Sequence, residues 1–335
     1  MPGADPARRS QLLGLKLNTL VRDHLGSDAP TTPGVWPGGA ALVRDGVAWV
    51  LAEDDSQRAL GRALAWARQQ GATELHLLAE EHAGLLARRA EYFAVPPHVW
   101  RVSGRSLVAA VAEPHEPVPA LDDELAAFAA LIESAGAVPL VERGVLIGEV
   151  EGLEVCRASR DASTGVCRLE VGVGAHDREA FQMVHGDVPT PDALRMVIDA
   201  VKPHRRPGAE PHPLNRLGAE RAIRAQFVRN PSLVGARLLA PADPPITRTN
   251  LKDTVPCVAA GETVSGEPVV VVCSTGIDLD VVPWAADARS ALGRNDARLV
   301  LALPARDGAA VTLALAAALR RPAVVLLRQD DGVWQ

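Results

Sequence analysis

The order of elements at the two ends of this chain constrains its fold more than any other feature. Residues 47–53 (Val-Ala-Trp-Val-Leu-Ala-Glu) read as an apolar strand, followed by a helix-patterned stretch at 56–70. A second strand at 74–79, a second helix at 82–93 and a third strand at 97–102 complete the unit. The same order returns at 269–275, 281–293, 298–303, 309–320 and 323–328. Short Val/Leu-rich strands separated by amphipathic helices specify right-handed βαβ units around a parallel sheet. A helix and a proline-rich loop precede each unit, at 10–39 and 214–245, although residue identity between the halves is low. Duplication and independent use of a common motif both account for that correspondence.

Proline-rich linkers at 113–119 and 202–213 divide the chain. The expected parts are an N-terminal α/β unit (1–112), a middle α+β module (119–203) and a C-terminal α/β unit (213–335). A length of 335 residues accommodates two or three cores. In the middle part, a helix at 122–135 precedes strand-like segments at 140–141, 145–150, 151–158 and 166–173, with helices at 177–184 and 190–201. Asp45-Gly46 and Arg143-Gly144 lie between apolar runs and are hairpin-turn signals. The expected fold class is α/β, with two outer βαβαβ units whose sheets are partly parallel, flanking a hairpin-rich middle module.

A formal net charge of −6 argues against a protein that coats nucleic acid non-specifically, because such binding rests on many cations. It leaves room for a local basic patch. No apolar run reaches the roughly 18 residues of a membrane span, and the N-terminal residues lack the apolar core of a secretory signal. Cys156, Cys167, Cys257 and Cys273 form no CxxC and have no nearby histidine pair, so a structural zinc site is not expected. Most lie in apolar stretches, where free cysteine behaves as a small hydrophobe. A reducing cytoplasm fits this usage. The Arg-rich composition, with only Lys16, Lys202 and Lys252 as lysines, is what a GC-rich genome produces.

Three places carry candidate chemistry. The strand at 269–273 ends in Ser274-Thr275-Gly276-Ile277-Asp278-Leu279-Asp280, and ligands in α/β sheets bind at carboxyl ends of strands. Ser274, Thr275 and Gly276 would bring backbone amides to an anion, while Asp278 and Asp280 would grip a ribose hydroxyl or a divalent ion. The competing reading is an ordinary strand-to-helix turn. There is neither a GxGxxG nor a GxxxxGK[ST] fingerprint. In the middle module, strand alternation places Glu154 and Glu170 on polar faces, with His176 and Asp177 at a strand end. Glu154, Glu170 and Asp177 are candidate ligands for Mg²⁺ or Mn²⁺, and Glu170, His176 and Asp177 are candidate catalytic groups. The competing reading is a solvated antiparallel face. Finally, residues 202–229 hold seven cations against two glutamates. Arg205, Arg206, Arg221 and Arg224 are candidate phosphate contacts, against a salt-bridged linker.

The N-terminal order of helix, hairpin (40–53), helix (59–68) and strand (75–79) resembles the restriction-endonuclease-like, PD-(D/E)XK superfamily. The middle module, with a helix before 148–155 and 169–173, is similar to it too. The resemblance covers about half the chain and rests on element order. It implies metal-dependent phosphodiester cleavage, by acids on adjacent strands and a lysine two residues after the second. Glu154 and Glu170 would be those acids, but Gly172 stands at the lysine position. In the N-terminal unit Glu53-Asp54-Asp55 has no lysine nearby in sequence. The resulting expectation is a cytoplasmic, nucleic-acid-associated protein with DNA or RNA as partner, a degenerate nuclease-like module that is non-catalytic or weakly metal-dependent. A homo-oligomer is a further candidate assembly. A nucleotide- or small-molecule-binding enzyme using residues 274–280, or a scaffold without ligand, are the alternatives.

Overall fold

The computed structural model describes residues 6–185, 188, 190–206, 208–210, 212–246, 255–329 and 332–335. The chain is α/β, with three sheets among the described residues. It divides into two compact units. The first comprises Met1–His115, Ile277–Asp287 and Gly308–Ala323; the second comprises Glu116–Gly276, Ala288–Asp307 and Val324–Gln335.

The first unit opens with α1 (Pro6–Leu25), β1 (Thr32–Gly34), β2 (Gly39–Arg44) and β3 (Val47–Ala52). It continues through α2 (Leu60–Gln69), β4 (Glu74–Ala79), α3 (Ala83–Ala90), β5 (His98–Ser103) and β6 (Ser106–Ala109). Sheet order follows chain order. β3, β4 and β5 are parallel, and β1, β2 and β6 are antiparallel to their neighbours. The β2–β3 hairpin turns at Asp45 and Gly46, both with positive φ (52° and 77°), the backbone that a two-residue hairpin requires. Both faces of β3 and β4 are covered, which is why their sequences are continuous apolar runs. Leu17, Leu20 and Val21 of α1 pack on Leu42, Trp49, Leu51, Leu78 and Val102, so only part of the leucine face of α1 is buried; Leu12 and Leu15 are exposed.

The second unit begins with two short helices, α4 (Asp123–Ala126) and α5 (Ala129–Ala135), and an antiparallel sheet. Its strands are β7 (Val138–Glu142), β8 (Val145–Val150), β9 (Leu153–Arg160) and β10 (Cys167–Val171), paired in that order. There follow α6 (Ala175–His185), α7 (Thr190–Arg205) and α8 (Ala219–Arg229). Leu194, Val197, Ile198 and Val201 of α7 close the core over this sheet. The last sheet contains β11 (Ala236–Ala242), β12 (Cys257–Thr263), β13 (Pro268–Cys273), β14 (Arg298–Pro304) and β15 (Val324–Arg328). β11, β12 and β13 are antiparallel, and β13, β14 and β15 are parallel. The intervening helices are α9 (Val281–Ala291) and α10 (Ala310–Ala318).

Both outer sheets contain a leading helix, three successive antiparallel strands and two parallel crossovers, and the first adds β6. The element order predicts the crossovers, whereas β1 and β11 form in stretches read as proline-rich loops and β6 and β12 in stretches given no element. The three sheets fall in the three ranges drawn from the sequence, whereas compactness groups the chain in two. One cause is α8, whose Ile223 and Phe227 enter the core of the last sheet while its arginines enter the middle one. The other is that residues 277–287 and 308–323 pack with the first unit. No helix among the described residues is long and apolar enough to cross a membrane.

Within the first unit, the Gly61 amide donates to Asp280 Oδ1 at 3.0 Å, and a Cβ at Gly61 would collide with the Leu279 carbonyl. Gly61→Ala is expected to destabilise the protein by about 1–3 kcal/mol, the usual effect of overpacking. Thermal melts check this, and an unchanged midpoint would contradict so close an approach.

Candidate functional site

Ligands of parallel α/β sheets bind beyond the carboxyl ends of the strands. In the first unit Ala52 and Ala79 are paired at the ends of β3 and β4, so the following loops leave the sheet side by side. One carries Glu53, Asp54, Asp55 and Ser56; the other carries Glu80, Glu81 and His82. Helix α1 delivers Lys16 to them, with Nζ 3.1 Å from Glu53 Oε2 and 2.9 Å from Glu80 Oε1. Burial alone would lower the pKa of this ammonium, but the bonds to Glu80 and Glu53 outweigh it and the net shift is upward. Arg9, also on α1, holds Asp54 through two bonds of 3.0 and 2.6 Å.

Ser56 Oγ and His82 Nδ1 lie 3.0 Å apart and join the two loops. Asp55 and His82 are non-glycine residues with φ of 49° and 59°, a conformation that stores roughly 1–2 kcal/mol each. Ser56 is buried and no acidic group among the described residues orients the imidazole. The pair therefore ties the loops together and lacks the third member of a nucleophilic triad. What remains open to solvent is the lysine between two carboxylates. Sequence reasoning missed it because Lys16 lies 37 residues before Glu53.

The acids expected to hold metal in the middle module meet a different partner. Glu154 is buried and accepts from Arg157 at 2.9 and 3.0 Å, Arg178 at 3.1 Å and Arg221 at 3.5 Å. Glu170 accepts from Ser159 at 2.7 Å and pairs with Arg168 and Arg178. The two glutamates do converge, but on the Arg178 guanidinium. Asp177 Oδ2 accepts from the Val173 amide at 2.6 Å, at the start of α6. The side chain of His176 lies outside the described residues.

The expected phosphate-contacting arginines need correction. Arg221 and Arg224 are buried, not displayed. Arg221 bonds Glu142 at 2.7 Å and approaches Glu149 at 3.2 Å; Arg224 bonds Glu149 at 2.9 and 3.0 Å and Glu142 at 3.4 Å. Burial disfavours a charged Arg224, yet the adjacent Glu149 carboxylate more than compensates and its pKa is raised. Arg205 is buried too, donating to the carbonyls of Leu214, Leu217 and Glu151 at 3.1, 3.1 and 2.8 Å. Only Arg206 of the four is exposed. Removing one partner of a buried ion pair strands the other. Arg224→Ala is expected to lower unfolding free energy by about 3–5 kcal/mol, and Arg224→Met with Glu149→Gln should recover much of it. Urea titrations of both variants check this; equal losses would mean that the charge pairing is irrelevant.

The residues of the C-terminal loop are divided between the two units. Ser274 is buried, Thr275 Oγ1 donates to Glu220 Oε1 at 2.6 Å, and the Gly276 amide donates to Asp307 at 2.8 Å, all within the second unit. Asp278 and Asp280 belong to the first. Asp278 accepts from Arg58 at 2.7 Å and from the Asp280 amide at 3.0 Å. Asp280 is buried, its Oδ2 has no hydrogen-bond partner, and Arg62 stands 4.0 Å away.

Burial, helped by the neighbouring Asp278 charge, pushes the Asp280 carboxyl up to about 6. Between roughly pH 4 and 6 the native state therefore keeps a proton that the unfolded chain has lost, so this residue makes stability fall as pH rises. Asp280→Asn retains an acceptor for Gly61 and cannot ionise. The variant is expected to be more stable than wild type at pH 7.5, with the gap closing towards pH 4. Thermal melts across that range check it, and a pH-independent gap would refute the assignment.

Among the described residues, one cluster has the composition of a metal site. Side-chain ligand atoms of Glu74, His76 and His98 lie within 4.8 Å of one another. Yet Trp100 Nε1–H donates to His76 Nδ1 at 2.9 Å, which leaves the His76 proton on Nε2, facing Glu74 Oε1 at 2.8 Å. Ligation at Nε2 would require an imidazolate or the loss of the tryptophan bond. Burial lowers the His76 pKa and favours that neutral ring. His76 stacks on Trp49 at 3.9 Å and on His98 at 4.8 Å, in a cross-strand row at the amino ends of the parallel strands. This arrangement is a packed ladder.

Comparison with protein-family models, curated proteins and solved structures finds no match, so the reading of these sites rests on their own geometry.

Proposed function

We propose that the first unit is a nucleic-acid-associated module that engages phosphodiesters through a divalent cation and cleaves them weakly. The observation that supports this reading is the placement of Lys16 between Glu53 and Glu80 beyond the carboxyl ends of two adjacent parallel strands. Glu53, Asp54, Asp55, Glu80 and Glu81 make that edge acidic, and an acidic edge repels phosphate unless a cation intervenes. Mg²⁺ characteristically takes one or two carboxylates, water and substrate phosphate oxygens, and Glu53 with Glu80 is such a donor set. The Glu154 and Glu170 pair is not, because arginines already saturate it.

Glu53 and Glu80 would hold Mg²⁺ or Mn²⁺, which when bound supplies Lewis acidity towards a phosphoryl oxygen. Lys16 would then be released from the carboxylates to place its ammonium against a phosphate oxygen and stabilise developing negative charge. The restriction-endonuclease-like resemblance expects its lysine two residues after the second acid; in the proposed reading Lys16 would supply a comparable charge from α1.

Fluorescence anisotropy with single- and double-stranded DNA and RNA, at low salt, tests the reading. Binding is expected with Mg²⁺ or Mn²⁺, to be lost in EDTA and to weaken in Glu53→Gln and Glu80→Gln. Slow cleavage is expected to fall by about 10²–10³-fold in Lys16→Ala, the usual effect of removing one electrostatic stabiliser. Binding indifferent to metal, or none with either metal, would overturn the proposal.

A further inference from the structure

A cleft of about 300 Å³ lies wholly within the second unit, bounded by the end of α7, by α8 and by the end of β15. Its charge is lopsided, with Arg205, Arg206, Arg229 and Arg328 in the wall against Glu151 alone. Two of these arginines are committed: Arg229 pairs with Glu151, and Arg205 bonds backbone carbonyls. Arg206 and Arg328 have no acidic partner among the described residues. Among the described residues, then, no carboxylate takes up their charge.

The same wall contains unmet hydrogen bonds of both kinds. Asn215 Oδ1 and Gln226 Oε1 are buried acceptors without a donor, and Arg328 Nε is a buried donor without an acceptor. Each such group costs free energy until a partner arrives. Three of them in one small cleft describe a complement: anionic oxygens for the guanidinium groups and O–H or N–H donors for the two amides. Guanidinium groups match phosphate oxygens bidentately, and the volume lies at the lower end of the range for small-molecule sites. The wall is too polar for an apolar ligand.

We propose that this cleft binds a small hydroxylated phosphate monoester, a sugar phosphate or a nucleoside monophosphate, without a metal ion. The phosphate sits against Arg206 and Arg328, and sugar hydroxyls donate to Asn215 and Gln226. The site is independent of the acidic edge of the first unit.

Isothermal titration of the full chain in EDTA and low salt, with ribose 5-phosphate, AMP, inorganic phosphate and ribose, tests the proposal. EDTA separates it from the cation-dependent reading of the first unit. At least one of the two esters is expected to bind at least tenfold more tightly than inorganic phosphate, with ribose undetectable. The ester that binds more tightly identifies the source. Arg206→Ala, at an exposed position that folding does not require, should weaken binding tenfold or more. Gln226→Leu should reduce the preference for ester over inorganic phosphate. Arg237→Ala, which lies outside the cleft, should change nothing. No binding of either ester, equal affinity for ester and inorganic phosphate, or insensitivity to Arg206→Ala would each overturn it.

Discussion

The charge balance beneath α8 is the interaction on which the second unit depends. Ile223 and Phe227 of this helix belong to the apolar core of the last sheet. Arg221 and Arg224 of the same helix reach Glu142, Glu149 and Glu154, one glutamate from each of β7, β8 and β9. Apolar contact alone would let a helix slide over a sheet. Buried guanidinium groups tolerate no such slip, because a charge without its partner inside the protein costs several kcal/mol. Glu149 and Glu154 are direct cross-strand partners, two like charges whose apposition is favourable only because arginine stands over both. Gly152 completes the fit: its φ of 77° turns the β8–β9 hairpin, and a Cβ there would collide with the backbone of Arg221.

The first unit repeats the device on another scale. Asp287 is fully buried and receives Arg88 at 2.9 Å, Arg89 at 3.1 Å and Tyr92 at 3.3 Å. Its charge is met from several directions, and the Arg88 and Arg89 guanidinium groups hold its carboxyl below the usual range despite burial. Such groups hold chain segments in place and have no capacity left for a ligand. The cluster of Lys16, Glu53 and Glu80 differs in one respect that matters chemically. It is partly open to water, where an ion pair contributes little and its members stay hydrated. Saturation and burial, more than residue type, separate the structural charges of this protein from those open to solvent.

Shared topology did not bring shared chemistry. In the first sheet, the loops after β3 and β4 carry glutamates to a common lysine. After β13 the corresponding loop carries Ser274 and Thr275, whose polar groups are directed inward, Thr275 onto Glu220. Whatever the origin of the two halves, the carboxyl edge of the first sheet presents two glutamates and an ammonium group that are partly open to solvent. The Arg206 and Arg328 cleft lies within the second unit at the end of β15, where unmet amide oxygens mark it out.

The edge strands β1, β6 and β11 and the inner strand β12 were not legible in the sequence, whereas the β2–β3 and β7–β8 hairpins with their Asp45-Gly46 and Arg143-Gly144 turns, and the parallel crossovers of both outer sheets, were. Each depends on local rules: alternation of side chains along a strand, periodicity around a helix, and backbone preference at a turn. The fate of the charged residues was not. Arg221 and Arg224 occupy helical spacing that equally suits an exposed basic face, and their partners lie 79 and 75 residues away. Glu154 alternates as a solvated strand residue should, yet Arg157, Arg178 of α6 and Arg221 of α8 close over it and it is buried. Lys16 gave no sign of belonging with Glu53 and Glu80. Local interactions determine elements over a few residues, whereas ion pairing acts through space between positions that only the assembled sheets bring together. Tertiary structure alone therefore decided which arginines are core, which lysine meets the acids, and which cations stay free.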